Sequence, residues 1–425
     1  MVVPAASPAQ HPSARRRART VSGALVLLAG VASAWAGLVA QRMDAFVDSR
    51  HHPAIAYGRG TIDTPIAALN ARIAAGQGTL PFDEQTGYLK ATLAALDISP
   101  DSQVLVYSPT SFQASKITQQ NPRAIYFNDT VAVGWIRGAE LLEVTAQDPR
   151  HGTIFYTLGQ ARGETPQFNR QEQCVSCHLT WDTLGVPGLT VRTTYPRKAG
   201  EFVNGGPVDH RRPIAERWSG WFVTGARVPS KHMGNRSLLE PAPPEGGPPQ
   251  LTSVSEQFDA TGYLRTTSDI VALMLLEHQT QAANLMTWAG WEARLGDASR
   301  TQAAAEALAD YLFFVGEAPL TEPIAGTDAF VAAFTARGPR DPRGRSLRDL
   351  RLAGRLMRYP LSYMIYTPMF DGLPAAAAEI VRERLTAVLS GRDQSPKYAH
   401  LTAADRQALT EILRDTKPSL FPPSQ

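Results

Sequence analysis

The chain has 425 residues and two cysteines, and the two stand three positions apart with a histidine directly after the second: Cys174-Val175-Ser176-Cys177-His178. This is the CxxCH spacing of covalent haem attachment. Two thiols on one short turn reach the two vinyl groups on one edge of a porphyrin, and the next residue turns its imidazole under the iron as proximal ligand. Three other readings of the same residues compete. A structural zinc normally takes four ligands, and the chain has no second cysteine pair. A thioredoxin-like redox pair opens a helix after a buried strand, whereas QFNRQEQ, just upstream, is polar. A disulfide across two residues is strained and leaves His178 without a role. One motif implies one covalent haem c, which excludes a dihaem or multihaem arrangement of covalent haems.

The N-terminus points to export, which matches haem attachment outside the cytoplasm. Arg15, Arg16, Arg17 and Arg19 precede an uncharged, Ala/Val/Leu/Gly-rich run from Thr20 to Gln41. Positive charge before an apolar run keeps that end cytoplasmic. Ala32-Ser33-Ala34 and Ala34-Trp35-Ala36 offer cleavage sites, and roughly 20 apolar residues also suffice for an uncleaved membrane anchor. Residues 1–42 are therefore expected to be a signal peptide or an anchor, with the remainder in the periplasm or facing it. Those four arginines outweigh the whole formal charge of +3, so the rest of the chain carries −1. A nearly neutral body gives no basic patch for nucleic acid.

Periodicity divides the remainder. Apolar residues recur at helical spacing in TPIAALNARIAA and FDEQTGYLKATLAALDI, a helical lead-in. From 102 to 158, SQVLVYS, RAIYF, TVAVGWI, AELLEVTA and GTIFYTLG are β-branched and aromatic runs between turn residues, which predicts a small antiparallel sheet. LTVRTTY and GWFVTG are two further candidate strands. Residues 239–252 are rich in proline and glycine and are expected to link a haem-binding region, 43–238, to an α-helical region, 253–425. SDIVALMLLEHQTQAANLMTWAGWEARL is the longest predicted helix, with Thr267 or Ser268 as N-cap and Gly296 as its stop. Helices are also expected over AAAEALADYLFFV, AFVAAFTA, LRDLRLAGRLMR, AAAEIVRERLTAVLS and AADRQALTEILRD. The expected fold class is α+β.

The second axial position separates an electron carrier from a haem enzyme. Met233, in KHMGN, lies 55 residues after His178 in a polar, glycine-containing loop, an odd place for core filler, and it is the expected thioether ligand. His278, on the face of the long helix shared with Met274, Gln281 and Leu285, is the next candidate, followed by His232 and His210. His51, His52, His151 and His400 have Pro, Gly or polar neighbours and are expected at the surface. Trp218, Trp221, Trp288 and Trp291 are expected chiefly in core packing.

Cys174 to His178 resembles the attachment motif of cytochromes c. More widely, the chain resembles a group of exported bacterial monohaem proteins without an assigned reaction. The matching stretches are SQVLVYSPTSFQ, NPRAIYFNDTVAVGW, CVSCH, RWSGWFVTG with KHMGN, LLEHQTQ, and GRSLRDL through GRDQSPKYAHL. They cover most of residues 50–418, which implies one integrated protein. Over a hundred residues precede the motif and nearly 250 follow, so a compact cytochrome c domain alone is not expected. The expected function is periplasmic electron transfer to or from a periplasmic or membrane redox partner. The alternative is a peroxidase- or oxygenase-like haem enzyme with an open or weakly held distal position, in which His278 with Arg211 or Arg212 stands over the iron.

Overall fold

The β-branched runs upstream of residue 171 pair into one antiparallel sheet in the computed structural model, which describes residues 49–421 apart from 164, 199–200 and 238–246. The export segment lies outside the described residues. In sequence order the strands are β1 (Val104–Val106), β2 (Arg123–Phe127), β3 (Val131–Trp135), β4 (Leu141–Asp148), β5 (Gly152–Gly159) and β6 (Phe168–Arg170), each paired with the next. Period-two patterning sets the register. Leu142, Val144 and Ala146 of β4 face Leu158, Tyr156 and Ile154 of β5 on one side, and all six are buried. That face packs on helices α1 (Pro65–Ala74) and α2 (Leu89–Ala95), through Leu69, Leu89 and Leu93, in one core.

Asp148 shapes the β4–β5 turn: its Oδ1 accepts the amides of Arg150 and His151 and the His151 ring Nδ1. His151 is therefore fully buried rather than at the surface as expected. The overlooked signal is an Asx turn, with the aspartate three residues ahead. His51, His52 and His400 are exposed.

After the motif helix α3 (Val175–His178) come the hairpin β7 (Val191–Lys198) and β8 (Glu201–Val208), then helices α4 (Ile270–Leu295), α5 (Ala298–Leu312) and α6 (Asp328–Ala336). The hairpin β9 (Leu350–Ala353) and β10 (Arg355–Met357) follows, and then α7 (Pro368–Asp371), α8 (Ala375–Leu389) and α9 (Ala403–Thr416). Helix α4 is apolar all round over Ile270–Leu276, and a stretch of that kind belongs in an interior; Ile270–Thr280 is buried without a break. Its N-cap is Asp269, one residue beyond the expected pair, accepting from the amides of Val271 and Ala272. Gly296 ends it in the left-handed region at φ 82°.

The fold is α+β. Two expected elements do not form. Residues 347–358 form the β9–β10 hairpin instead of a helix, because Leu352 (φ 58°) and Gly354 (φ 76°) leave the right-handed region. Gly354 also exchanges both backbone hydrogen bonds with Leu320. GWFVTG makes only isolated bridges, Trp221 to Val106 and Thr224 to Leu251 and Asp269. Leu251 is tied to the first region, its carbonyl accepting from Gly225 N–H. Residues 50–425 cluster as one unit. Among the described residues no helix is long and apolar enough to cross a membrane.

Candidate functional site

The edge strand β6 delivers the CxxCH motif to the second face of the sheet. Gln171, the next residue, donates its amide to Phe155 O and its side-chain amide to Thr157 Oγ1. A 3-10 turn, Glu172–Cys174, then runs into α3. Val175 is buried in the same core cluster as Ile154, Phe155 and Leu158 of β5. Cys174 and Cys177 thus stand one turn apart, both free thiols, the first half-buried and the second exposed. Burial, then the Glu143 carboxylate, pushes the Cys174 thiol up to about 11. That is the opposite of the lowered thiol of a redox or nucleophilic cysteine.

His178 lies against Phe155, ring centroids 4.9 Å apart. Phe155 shares this face with Thr145 opposite it, and Ala132 and Gly134 continue it across β3. Arg123 and Glu143 bridge it with a 2.9 Å ion pair. Arg123 Nε is buried with no hydrogen-bond partner among the described residues. The ring is locked by a reciprocal pair: His178 Nδ1 donates to Gly188 O at 3.1 Å, and Gly188 N–H donates to His178 O at 2.9 Å. A carbonyl can only accept, so the proton sits on Nδ1 and the Nε2 lone pair is free. Nε2 has no partner among the described residues and is not shut off from solvent. Burial, then the nearby Arg123 charge, holds the imidazole below its usual pKa, against the Gly188 bond. It is therefore neutral at pH 7. A neutral imidazole with its far nitrogen tied to a backbone carbonyl is the arrangement of metal-ligating histidines.

Helix α4 holds that carbonyl in place. Asn284 accepts from Leu189 N at 3.2 Å and donates to Leu189 O at 2.8 Å. A Cβ on Gly188 would lie 2.2 Å from Asn284 Oδ1 and 3.1 Å from Thr183 Cβ. Gly188→Ala is therefore expected to cost about 1–3 kcal/mol, read from the denaturant midpoint. A change within about 0.5 kcal/mol, ordinary for a surface site, would contradict this account of the loop.

Each of the other candidates is held by partners of its own. Met233 is partly buried, with its amide donating to Arg217 O. Its loop is linked to the motif region through Trp221. That residue accepts from Asn235 N and donates its indole N–H to Arg192 O, and Arg192 pairs with Asp182. No hydrogen bond or ring contact joins Met233 to His178 among the described residues. His278 is fully buried with both ring nitrogens engaged, Nδ1 with His210 Nδ1 at 2.9 Å and Nε2 with Ser362 Oγ at 2.7 Å. It stacks on Tyr311 and on Phe314, and Arg211 lies over Tyr311. Burial presses the His278 pKa down to about 3 and that of His210 well below normal. His232 accepts from Gly234 N at Nδ1 and sits edge-on to Trp218. Trp218, Trp221 and Trp291 are core residues.

One feature of this region has no signature in the sequence. Glu277, beside His278, is fully buried and takes Arg217 at 2.9 Å and the Trp218 indole N–H. The partners lie about sixty positions away, and no local pattern joins them.

Among the described residues no three His, Cys, Asp or Glu side chains gather as a metal set, so the further ligands a structural zinc needs are not beside the cysteine pair. No family model, curated protein or solved structure matches the chain.

Proposed function

We propose that this chain is an exported c-type cytochrome working in electron transfer, with one haem c joined to Cys174 and Cys177 and ligated by His178. The observation that carries the reading is the state of those three side chains. Two cysteines with no disulfide between them stand one helical turn apart, and the adjoining imidazole is locked through Nδ1 to Gly188 O, which leaves the lone pair on Nε2. The buried Arg123 Nε without a partner, on the same sheet face, suits an anionic haem edge. Met233 is the proposed second ligand, from a loop tied to the motif region through Trp221.

When bound, the haem supplies one-electron redox chemistry. The chain's part would be to fix the histidine tautomer through Gly188 and Asn284, and to set charge beside His178 with Arg123 and Glu143. Cys177 and Trp181 are exposed at the motif, Trp181 at 39%. An exposed aromatic at such an edge suits transient docking of a redox partner, periplasmic or in the membrane. The N-terminal segment would export the chain to the periplasm or anchor it facing that side.

Absorption spectra of the purified protein in both oxidation states test the reading. A low-spin, six-coordinate haem with a thioether–iron band is expected, and Met233→Ala should abolish that band while leaving the pigment attached. A high-spin ferric spectrum in the unaltered protein would favour the haem-enzyme reading over electron transfer.

A further inference from the structure

Away from the CxxCH motif, a cavity of about 310 Å³ opens where the segment after α2, the β2–β3 turn and helix α6 meet. Its volume is at the lower end of small-molecule sites, roughly 300–1,000 Å³. Leu93, Phe127, Phe330 and Phe334 give it an apolar, largely aromatic wall. Arg348 also lines it, with its guanidinium packed over the rings of Phe334 at 4.7 Å and Tyr363 at 4.5 Å.

The polar groups here differ in one respect. Gln279 has both ends engaged, donating to Asn128 O and accepting from Tyr363 Oη. Ser102 donates to Ser99 O and accepts from Phe127 N. Arg337, at the rim, donates to Asp97 O. Arg348 donates through Nη2 to Asp129, yet its Nη1 is buried and has no acceptor among the described residues. A buried cationic donor left unpaired is costly and is uncommon in folded proteins. What the cavity lacks is therefore an acceptor, not a donor. Asp129 and Asp97 already pair with the two arginines, so one further negative charge suits the site better than two.

We propose that this cleft binds a small aromatic monocarboxylate, its ring against the phenylalanines and its carboxylate on Arg348. The proposal stands independently of the haem reading, because no residue of the cleft belongs to the motif. Helix α4 connects the two places physically, with Gln279 at the cleft and Asn284 holding the loop that fixes His178.

Benzoate titrated into the purified full chain, followed by calorimetry, is the test. Saturable binding is expected, at least tenfold tighter than for benzylamine, benzyl alcohol or inorganic phosphate, a tenfold step being about 1.4 kcal/mol. Arg348→Gln should weaken benzoate at least tenfold. Should that variant fail to fold, Ala333→Phe, which fills the cleft from α6, should abolish binding without touching the arginine. No saturable binding up to ~10 mM, a range in which even weak millimolar sites register, would overturn the proposal. So would benzoate binding unchanged in Ala333→Phe, or phosphate binding more tightly than benzoate.

Discussion

Arg217→Ala is expected to destabilise the protein by about 3–5 kcal/mol, the cost of removing one partner from a buried ion pair. Arg217 is 1% exposed and Glu277 not at all. Beyond the ion pair, the guanidinium donates to the carbonyls of His210 and Arg212, so its loss also orphans backbone acceptors. Burial already raises the Glu277 carboxyl to about 7 from 4.5, against the pull of Arg217. A carboxyl that holds its proton more tightly when folded stabilises the native state fully below about 4.5. That contribution fades as pH rises through about 7. Without Arg217 the carboxylate form is worse off still, so the deficit of the variant should be larger at pH 8 than at pH 4.5. Denaturant unfolding at the two pH values measures both claims. A loss under about 1 kcal/mol, typical of an exposed pair, or a deficit that shrinks with rising pH, would contradict them.

His178→Ala should have the largest effect on the proposed centre. The substitution removes the open Nε2 and also the Nδ1 bond to Gly188. The thiols stay on their turn, because Val175 in the core and Gln171 on the sheet edge hold it. Pigment should therefore remain attached while the low-spin spectrum is lost, and added imidazole should restore it. The midpoint potential should move by on the order of 0.1 V or more, within the ~0.8 V that axial ligands span. An unchanged spectrum in this variant would mean that His178 is not a ligand.

Much of the fold was legible in the sequence because its signals are local. The β-branched and aromatic runs AELLEVTA and GTIFYTLG marked strands of the sheet, and the helical spacing of apolar residues through 270–295 marked the longest helix. The 350–357 hairpin was missed because LRLAGRLM satisfies both periods. What decides between them is the positive φ of Leu352 and Gly354 and their bonding to the 320–324 loop, a tertiary effect. At the site, the motif was plain. The Gly188 carbonyl and Asn284 were not, because a glycine ten residues on and an asparagine about a hundred residues further carry no pattern. His278 read as an open ligand candidate from its helix face alone, whereas its two nitrogens are taken by His210 and Ser362, 68 and 84 positions away.

The central claim is a covalent bond between porphyrin and the Cys174–Cys177 pair, and the mass of the denatured chain tests it directly. Protein from a haem-ligating bacterial host, unfolded and weighed intact, should exceed the Cys174→Ala/Cys177→Ala variant from the same host by one haem after correction for the two substitutions. It should also keep its colour through denaturation. Equal masses after that correction, with pigment lost on unfolding, would contradict the account.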